Sequence, residues 1–112
     1  LYHNDDAPTV TLYTKAGCTL CDVVKDTLVE LAIDHPHSLR AVDITDDDNK
    51  HYFDKYKYDI PVLHIDGAYW AKHRLSTEEA IEGLQAARAG EFCERRGEPD
   101  AARLERRRGP SR

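Results

Sequence analysis

Two cysteines stand three positions apart in the stretch Lys15-Ala16-Gly17-Cys18-Thr19-Leu20-Cys21, a spacing that suits reversible disulfide chemistry. The attacking species in thiol–disulfide exchange is a thiolate, so one thiol needs its anion stabilised near neutral pH and the second must reach it. A strand that hands over to a helix at Cys18 meets the first need, because unsatisfied N–H groups and the helix dipole favour an anion there. Cys21, less than one turn further on, meets the second. Lys15 adds positive charge ahead of the pair, whereas Asp22 in the first helical turn acts against a thiolate. Two other chemistries compete for the same residues. A Cys-x-x-Cys is half of many zinc sites, but His35 and His37, the candidate second half, are closer together than zinc ligands usually are. Inert packing of two small thiols is the remaining alternative.

The surrounding pattern predicts the elements that position this pair. Thr9-Val10-Thr11-Leu12-Tyr13-Thr14 alternates and is rich in β-branched and aromatic residues, which reads as a strand. Beyond Gly17, the residues Leu20, Val23, Val24, Leu28, Leu31 and Ala32 recur at helical intervals, and Asp34-His35-Pro36 ends the run. Leu39 to Ile44 alternates again. Thr45-Asp46-Asp47-Asp48-Asn49 offers acceptors for a helix start, and the short helix after it presents Tyr52, Phe53 and Tyr56 to the core. Ile60-Pro61 opens a third strand, Val62–Ile65, which turns at Asp66-Gly67 into a fourth, Tyr69–Ala71. Ser76 and Glu79 form a capping box, with Leu75 and Ala80 as its hydrophobic staple, for a last helix burying Ala80, Ile81, Leu84 and Ala87 and ending near Gly90. The order β-α-β-α-β-β-α predicts an α/β architecture with a mixed four-stranded sheet flanked by helices.

These residues and this order resemble the thioredoxin superfamily, and within it the small glutaredoxin-like proteins. The resemblance covers most of residues 9–89 and rests on Thr-Lys-Ala-Gly-Cys-Thr-Leu-Cys, on Tyr-Asp-Ile-Pro-Val-Leu-His-Ile-Asp-Gly around Pro61, and on the element order. It implies a thioredoxin fold and a thiol–disulfide oxidoreductase in which Cys18 attacks a disulfide and Cys21 resolves the mixed disulfide. It further implies that Pro61 is cis and faces the dithiol, and that the Ile60 backbone pairs with a bound thiol peptide as an added strand. Lys15 matches the family lysine that meets a glutathione carboxylate. Two departures stand out. Thr19-Leu20 replaces the usual Pro-Tyr, and Ala71-Lys72-His73-Arg74 stands where family members carry Gly-Gly followed by acidic residues. Arg74 is the candidate there for a glutathione carboxylate. Side chains in that stretch could instead block the tripeptide, so glutathione is one candidate co-substrate; no tightly bound cofactor and no metal are expected. The alternatives are a module that binds glutathione, an iron–sulfur cluster or another metal through Cys18, and a redox-inactive adaptor on the same fold.

With 112 residues the chain is sized for one domain, and 40% hydrophobic content is enough for a modest core. We expect a flexible lead-in over residues 1–8, the glutaredoxin-like domain over 9–90, and a disordered tail or frayed helical turn over 91–112. Residues 1–89 hold nine basic against sixteen acidic side chains, a balance that argues against nucleic acid as partner. The seven basic residues beyond Gly90 are all Arg, read as a solvated tail. No apolar run approaches the roughly 20 residues of a membrane span. One close cysteine pair and a remote thiol, Cys93, fit a reducing intracellular compartment, the cytoplasm first and a mitochondrion or other organelle next. Disulfide-bearing proteins or small disulfides are the expected partners of a monomer. The chain opens on Leu1 and holds no Met, so we expect residues to precede it, and nothing at its start reads as a signal or transit peptide. His64 is expected to be a hydrogen-bonded strand histidine, His73 a surface residue, Trp70 a residue packed on the last helix, and Cys93 a passive thiol outside the fold.

Overall fold

Alternation along the strands sorts the core into two halves, one on each side of the sheet. In the computed structural model, which describes residues 1–108, the elements are β1 (Thr9–Thr14), α1 (Thr19–Leu31), β2 (Ser38–Asp43), α2 (Lys50–Tyr56), β3 (Val62–Ile65), β4 (Ala68–Lys72), α3 (Thr77–Arg88) and α4 (Ala101–Arg108). The strand order is β2-β1-β3-β4, with β1 parallel to β2 and antiparallel to β3, and β3 antiparallel to β4. This is the thioredoxin fold, a mixed four-stranded sheet flanked by helices.

Period-two alternation sends Val10, Leu12, Leu63, Ile65 and Trp70 to the side of α1 and α3, where they pack with Val24, Leu28, Ala80 and Leu84. The intervening residues Tyr13, Val62 and Tyr69 face the other side and pack with Ile44 and Tyr56. The buried stripe of α1 is Cys21, Val24 and Leu28. Val23, expected in that stripe, is instead 61% exposed, because the stripe runs through Cys21, Val24 and Leu28 and Val23 lies about 100° around the helix from Val24. On α3 the buried residues are Ala80, Gly83 and Leu84, and the capping box forms as predicted from Ser76 and Glu79. Gly83 is required by contact: a Cβ there would lie 2.5 Å from the indole of Trp70, which lies against the helix backbone. The start of α2 departs from expectation. A 3₁₀ turn, Asp47–Asn49, precedes the helix, and no side chain caps it. Asn49 instead donates through Nδ2 to the Asp43 carbonyl at 2.9 Å, and Thr45 is engaged by the Asp43 carboxylate, which takes its amide at 2.8 Å and its hydroxyl at 2.6 Å. The Thr45 bonds hold the Asp43 carboxyl below its ordinary pKa.

Both chain ends make contacts that local sequence pattern does not announce. The lead-in over residues 1–8 pairs with the β2 edge through an antiparallel bridge between Tyr2 and Leu39. Beyond Gly90 the chain runs without regular structure to α4 and touches the domain along the way; 109–112 lie outside the described residues. Phe92 meets Trp70 edge-on at 6.4 Å between ring centroids, and the Arg95 amide donates to the Tyr69 carbonyl at 2.9 Å. Ala101, at the start of α4, is buried, and the Asp100 carboxylate accepts the Arg103 amide at 2.9 Å. Individual residues find distant partners here, and a segment bound in that way needs no apolar periodicity of its own.

Candidate active site

Strand register gathers the candidate residues at one end of the sheet. β1 ends at Thr14 and its chain continues into the Lys15–Cys18 turn, while Tyr13 pairs with Val62 and so brings Pro61 alongside that turn. Val62 also pairs with Lys72, so the end of β4 and the residues after it, His73 and Arg74, reach the same end. Both α1 and α3 begin there.

Gly17 has φ +80°, a left-handed conformation that glycine adopts without cost, and it turns the chain from β1 into the helix. The Cys18 amide donates to the Lys15 carbonyl at 3.3 Å across this turn. Cys18 is the N-cap of α1, with extended backbone, and its Sγ accepts the Cys21 amide at 3.2 Å. A sulfur so placed sits at the positive end of the helix, where an anion is favoured. Cys18 and Cys21 are joined by a disulfide with their Cα atoms 5.3 Å apart. The two sulfurs differ in access: Cys18 is half-buried, Cys21 is 2% exposed, and an incoming thiol therefore meets Cys18 first.

The Ile60–Pro61 peptide bond is cis, Pro61 is buried and Ile60 half-buried. Lys15 is exposed and makes no ion pair among the described residues. Arg74 is also exposed and lines a groove of about 410 Å³ that runs from Leu20, between the two cysteines, to Ser76 and Glu79 at the start of α3. The groove lies beside the disulfide, with a cation on its rim.

His73, read from sequence as a surface residue, is half-buried and lies 2.9 Å through Nε2 from the Asp59 carboxylate. Asp59 was not singled out by its sequence context. A lone aspartate before Ile-Pro has no pattern to betray its partner. His64 is the hydrogen-bonded strand histidine expected: its Nε2 lies 3.3 Å from the Tyr56 hydroxyl, and its ring is edge-on to Tyr13 on the α2 side of the sheet. Burial lowers its pKa, against an upward pull from Glu98. Glu98, missed because its partners are distant in sequence, accepts the Tyr56 hydroxyl at 2.5 Å and Lys55 Nζ at 3.2 Å. Burial pushes its carboxyl upward, and the bonds from Tyr56 and Lys55 outweigh that and hold it below its ordinary pKa. His37 is buried; its Nδ1–H donates to the His35 carbonyl at 2.8 Å, so Nε2 is left to accept the Tyr2 hydroxyl at 2.5 Å. Cys93 is an exposed free thiol on the C-terminal segment. Among the described residues no helix is long and apolar enough to cross a membrane.

Residues 9–85 match the family model described as Glutaredoxin-like domain (DUF836). The chain is 30% identical over 89 residues to the "Glutaredoxin-like protein YDR286C homolog" of Dictyostelium discoideum, covering 76% of this chain and 82% of that protein. Among solved structures it is similar to one described as "Structure of a malarial protein", with TM-score 0.53 at 18% identity, over 73% of this chain and 97% of the other. A further likeness, to thioredoxin O2 from Arabidopsis thaliana in the oxidized state, has TM-score 0.49 at 20% identity over 79% of this chain and 77% of the other.

Proposed function

The chain belongs to the glutaredoxin-like domain family, and from that premise we propose that it is a thiol–disulfide oxidoreductase cycling between a Cys18/Cys21 dithiol and the disulfide. The observation that carries this reading is the asymmetry of the pair: a half-buried sulfur capping a helix and a buried one bonded to it. In the reduced protein the Cys18 thiolate attacks one sulfur of a substrate disulfide. The S–S bond breaks, a mixed disulfide forms on Cys18, and the departing thiolate takes up a proton. Cys21 then loses its proton and attacks Cys18 Sγ, which releases the second substrate thiol and leaves the protein oxidised. Two electrons have passed from the dithiol to the substrate.

Regeneration reverses the electron flow and needs a thiol reductant, for which glutathione is our candidate. Two glutathione molecules reduce the pair and leave as glutathione disulfide. The cations Lys15 and Arg74 would meet its carboxylates, and the Ile60 backbone beside Pro61 would pair with its peptide. The substrates proposed are disulfide-bearing proteins or small disulfides in a reducing compartment, with the protein acting as a monomer and holding no tightly bound cofactor.

The test is disulfide reduction coupled to glutathione, measured for the native protein, Cys18→Ser and Cys21→Ser. We expect Cys18→Ser to lose more than about a thousandfold in rate, as removal of an attacking nucleophile does. Cys21→Ser should also lose activity on protein disulfides. Full activity in Cys18→Ser sinks the mechanism, and undiminished activity in Cys21→Ser removes the resolving step.

A further inference from the structure

His73 occupies a backbone conformation that disfavours its own side chain. Its φ is +69°, in the left-handed region that a residue with a Cβ enters at a cost. The Arg74 amide donates to the Lys72 carbonyl at 2.8 Å across it, which makes His73 the centre of a γ-turn of the rare, strained form. A glycine would relieve that strain, so what the imidazole gains in exchange is informative.

Two bonds radiate from this residue to the same short segment. The His73 amide donates to the Pro61 carbonyl at 2.8 Å, and its Nε2 lies 2.9 Å from the Asp59 carboxylate, with Lys72 Nζ 3.9 Å from the same carboxylate oxygen. One residue therefore grips the 59–61 segment at both of its ends, with Ile60 held between them. On its other side the γ-turn sends Leu75 into the core and leaves Arg74 on the rim of the groove beside Leu20. A side-chain bond at one end of a strained turn and the groove rim at the other link the 59–61 segment to the rim beside Leu20.

We propose that His73 is a positioning residue for this site, whose bond to Asp59 holds the Ile60–Pro61 segment and the Arg74 rim in register for the incoming disulfide. The proposal rests on the oxidoreductase reading for its substrate and on the turn geometry for the residue itself. Such a residue acts on binding: it sets KM and leaves the sulfur chemistry, and with it kcat, largely alone.

Three variants test it: His73→Gly, Asp59→Ala and the double variant, assayed for KM and kcat in disulfide reduction and for Tm. We expect His73→Gly to raise KM about three- to tenfold with kcat within about twofold, while Tm holds or rises because the turn is relaxed. Asp59→Ala should shift KM in the same direction, and the double variant should be no worse than the more affected single, as for two members of one interaction. An unchanged KM in His73→Gly, additive losses in the double variant, or a fall in Tm that tracks KM overturns the proposal. An activity-independent measurement guards against failure of the oxidoreductase reading. Hydrogen exchange of the His73 amide should accelerate about tenfold in Asp59→Ala, since loss of the side-chain bond loosens the turn. If the native protein reduces no disulfide, the oxidoreductase reading falls, and an unchanged exchange rate overturns the positioning role separately.

Discussion

On the β2 edge of the sheet the first residues of the chain bind through backbone, whereas on the β4 edge the C-terminal segment binds largely through side chains. At β2 the Tyr2 amide donates to the Leu39 carbonyl at 3.2 Å, the Leu39 amide returns a bond to the Tyr2 carbonyl at 3.0 Å, and the Asn4 amide donates to Ser38 Oγ at 2.7 Å. At β4 the Arg95 amide makes a backbone bond, and the segment then leaves the edge and crosses to the α2 side of the sheet. There Glu98 takes the Tyr56 hydroxyl and α4 lies on α2, with Glu105 meeting Lys57 Nζ at 3.1 Å. Both arrangements cover strand edges that would otherwise offer unpaired N–H and C=O groups to another chain. They differ in what keeps them closed. Beside its backbone bonds the N-terminal cover has a bond between side chains, from the Tyr2 phenol to a neutral His37; the C-terminal cover is held chiefly by the Glu98 carboxylate.

The largest expected effect comes from removing one cover entirely. Truncation after Gly90 takes Phe92 from Trp70, Glu98 from Tyr56 and Ala101 from its buried place, and should cost roughly 3–5 kcal/mol in denaturant unfolding. Unchanged stability would mean that the segment is a passenger and that the two edges are not comparable.

Acid should separate the covers in order. His37 has its pKa lowered by burial, so the unfolded chain takes up this proton first. Its contribution is whole above about pH 6.5 and is lost as pH falls below that. His64, also lowered by burial, adds to this first loss. Glu98 likewise has a folded pKa below its unfolded value, so its contribution is present above about pH 4.3 and is lost as pH falls through the folded value. Glu98→Gln should cost about 1–2 kcal/mol at pH 7 and remove the second, more acidic loss while sparing the His37 part of the first, since Glu98 raises the His64 pKa and does not act on His37. Stability measured from pH 8 to pH 3 checks this, and a single loss common to both proteins contradicts it.

The smallest effect isolates which C-terminal contact matters. The Glu105 pairs with Lys57 and Tyr58 lie on the surface, where such contacts contribute little. Glu105→Ala should therefore leave Tm within measurement error, and a fall matching that of Glu98→Gln would move the anchor from the polar cluster to the helix contact.

The parts of the site legible in the sequence are those written in local pattern. Cys18 and Cys21 announce themselves by spacing, the start of α1 by the switch in hydrophobic period after Gly17, and Ser76 with Glu79 by the capping box. His73 and Asp59 had no such signature. They are 14 residues apart, and a left-handed histidine resembles any other histidine in a list of residues. Glu98 and Tyr56 are 42 residues apart, and a single long-range pair leaves no periodic trace.

By itself, then, the sequence determined the element order as far as α3 and the position of the dithiol at a strand-to-helix junction, because period and capping act within a turn or two of chain. Only the tertiary structure decided the rest. It set one cysteine half-buried and the other buried, brought β1, β3 and β4 to a common end, closed both sheet edges with the chain termini, and placed His73 against the segment before Pro61. These outcomes depend on which distant residues come together once the sheet has paired, and strand register is a property of the whole sheet.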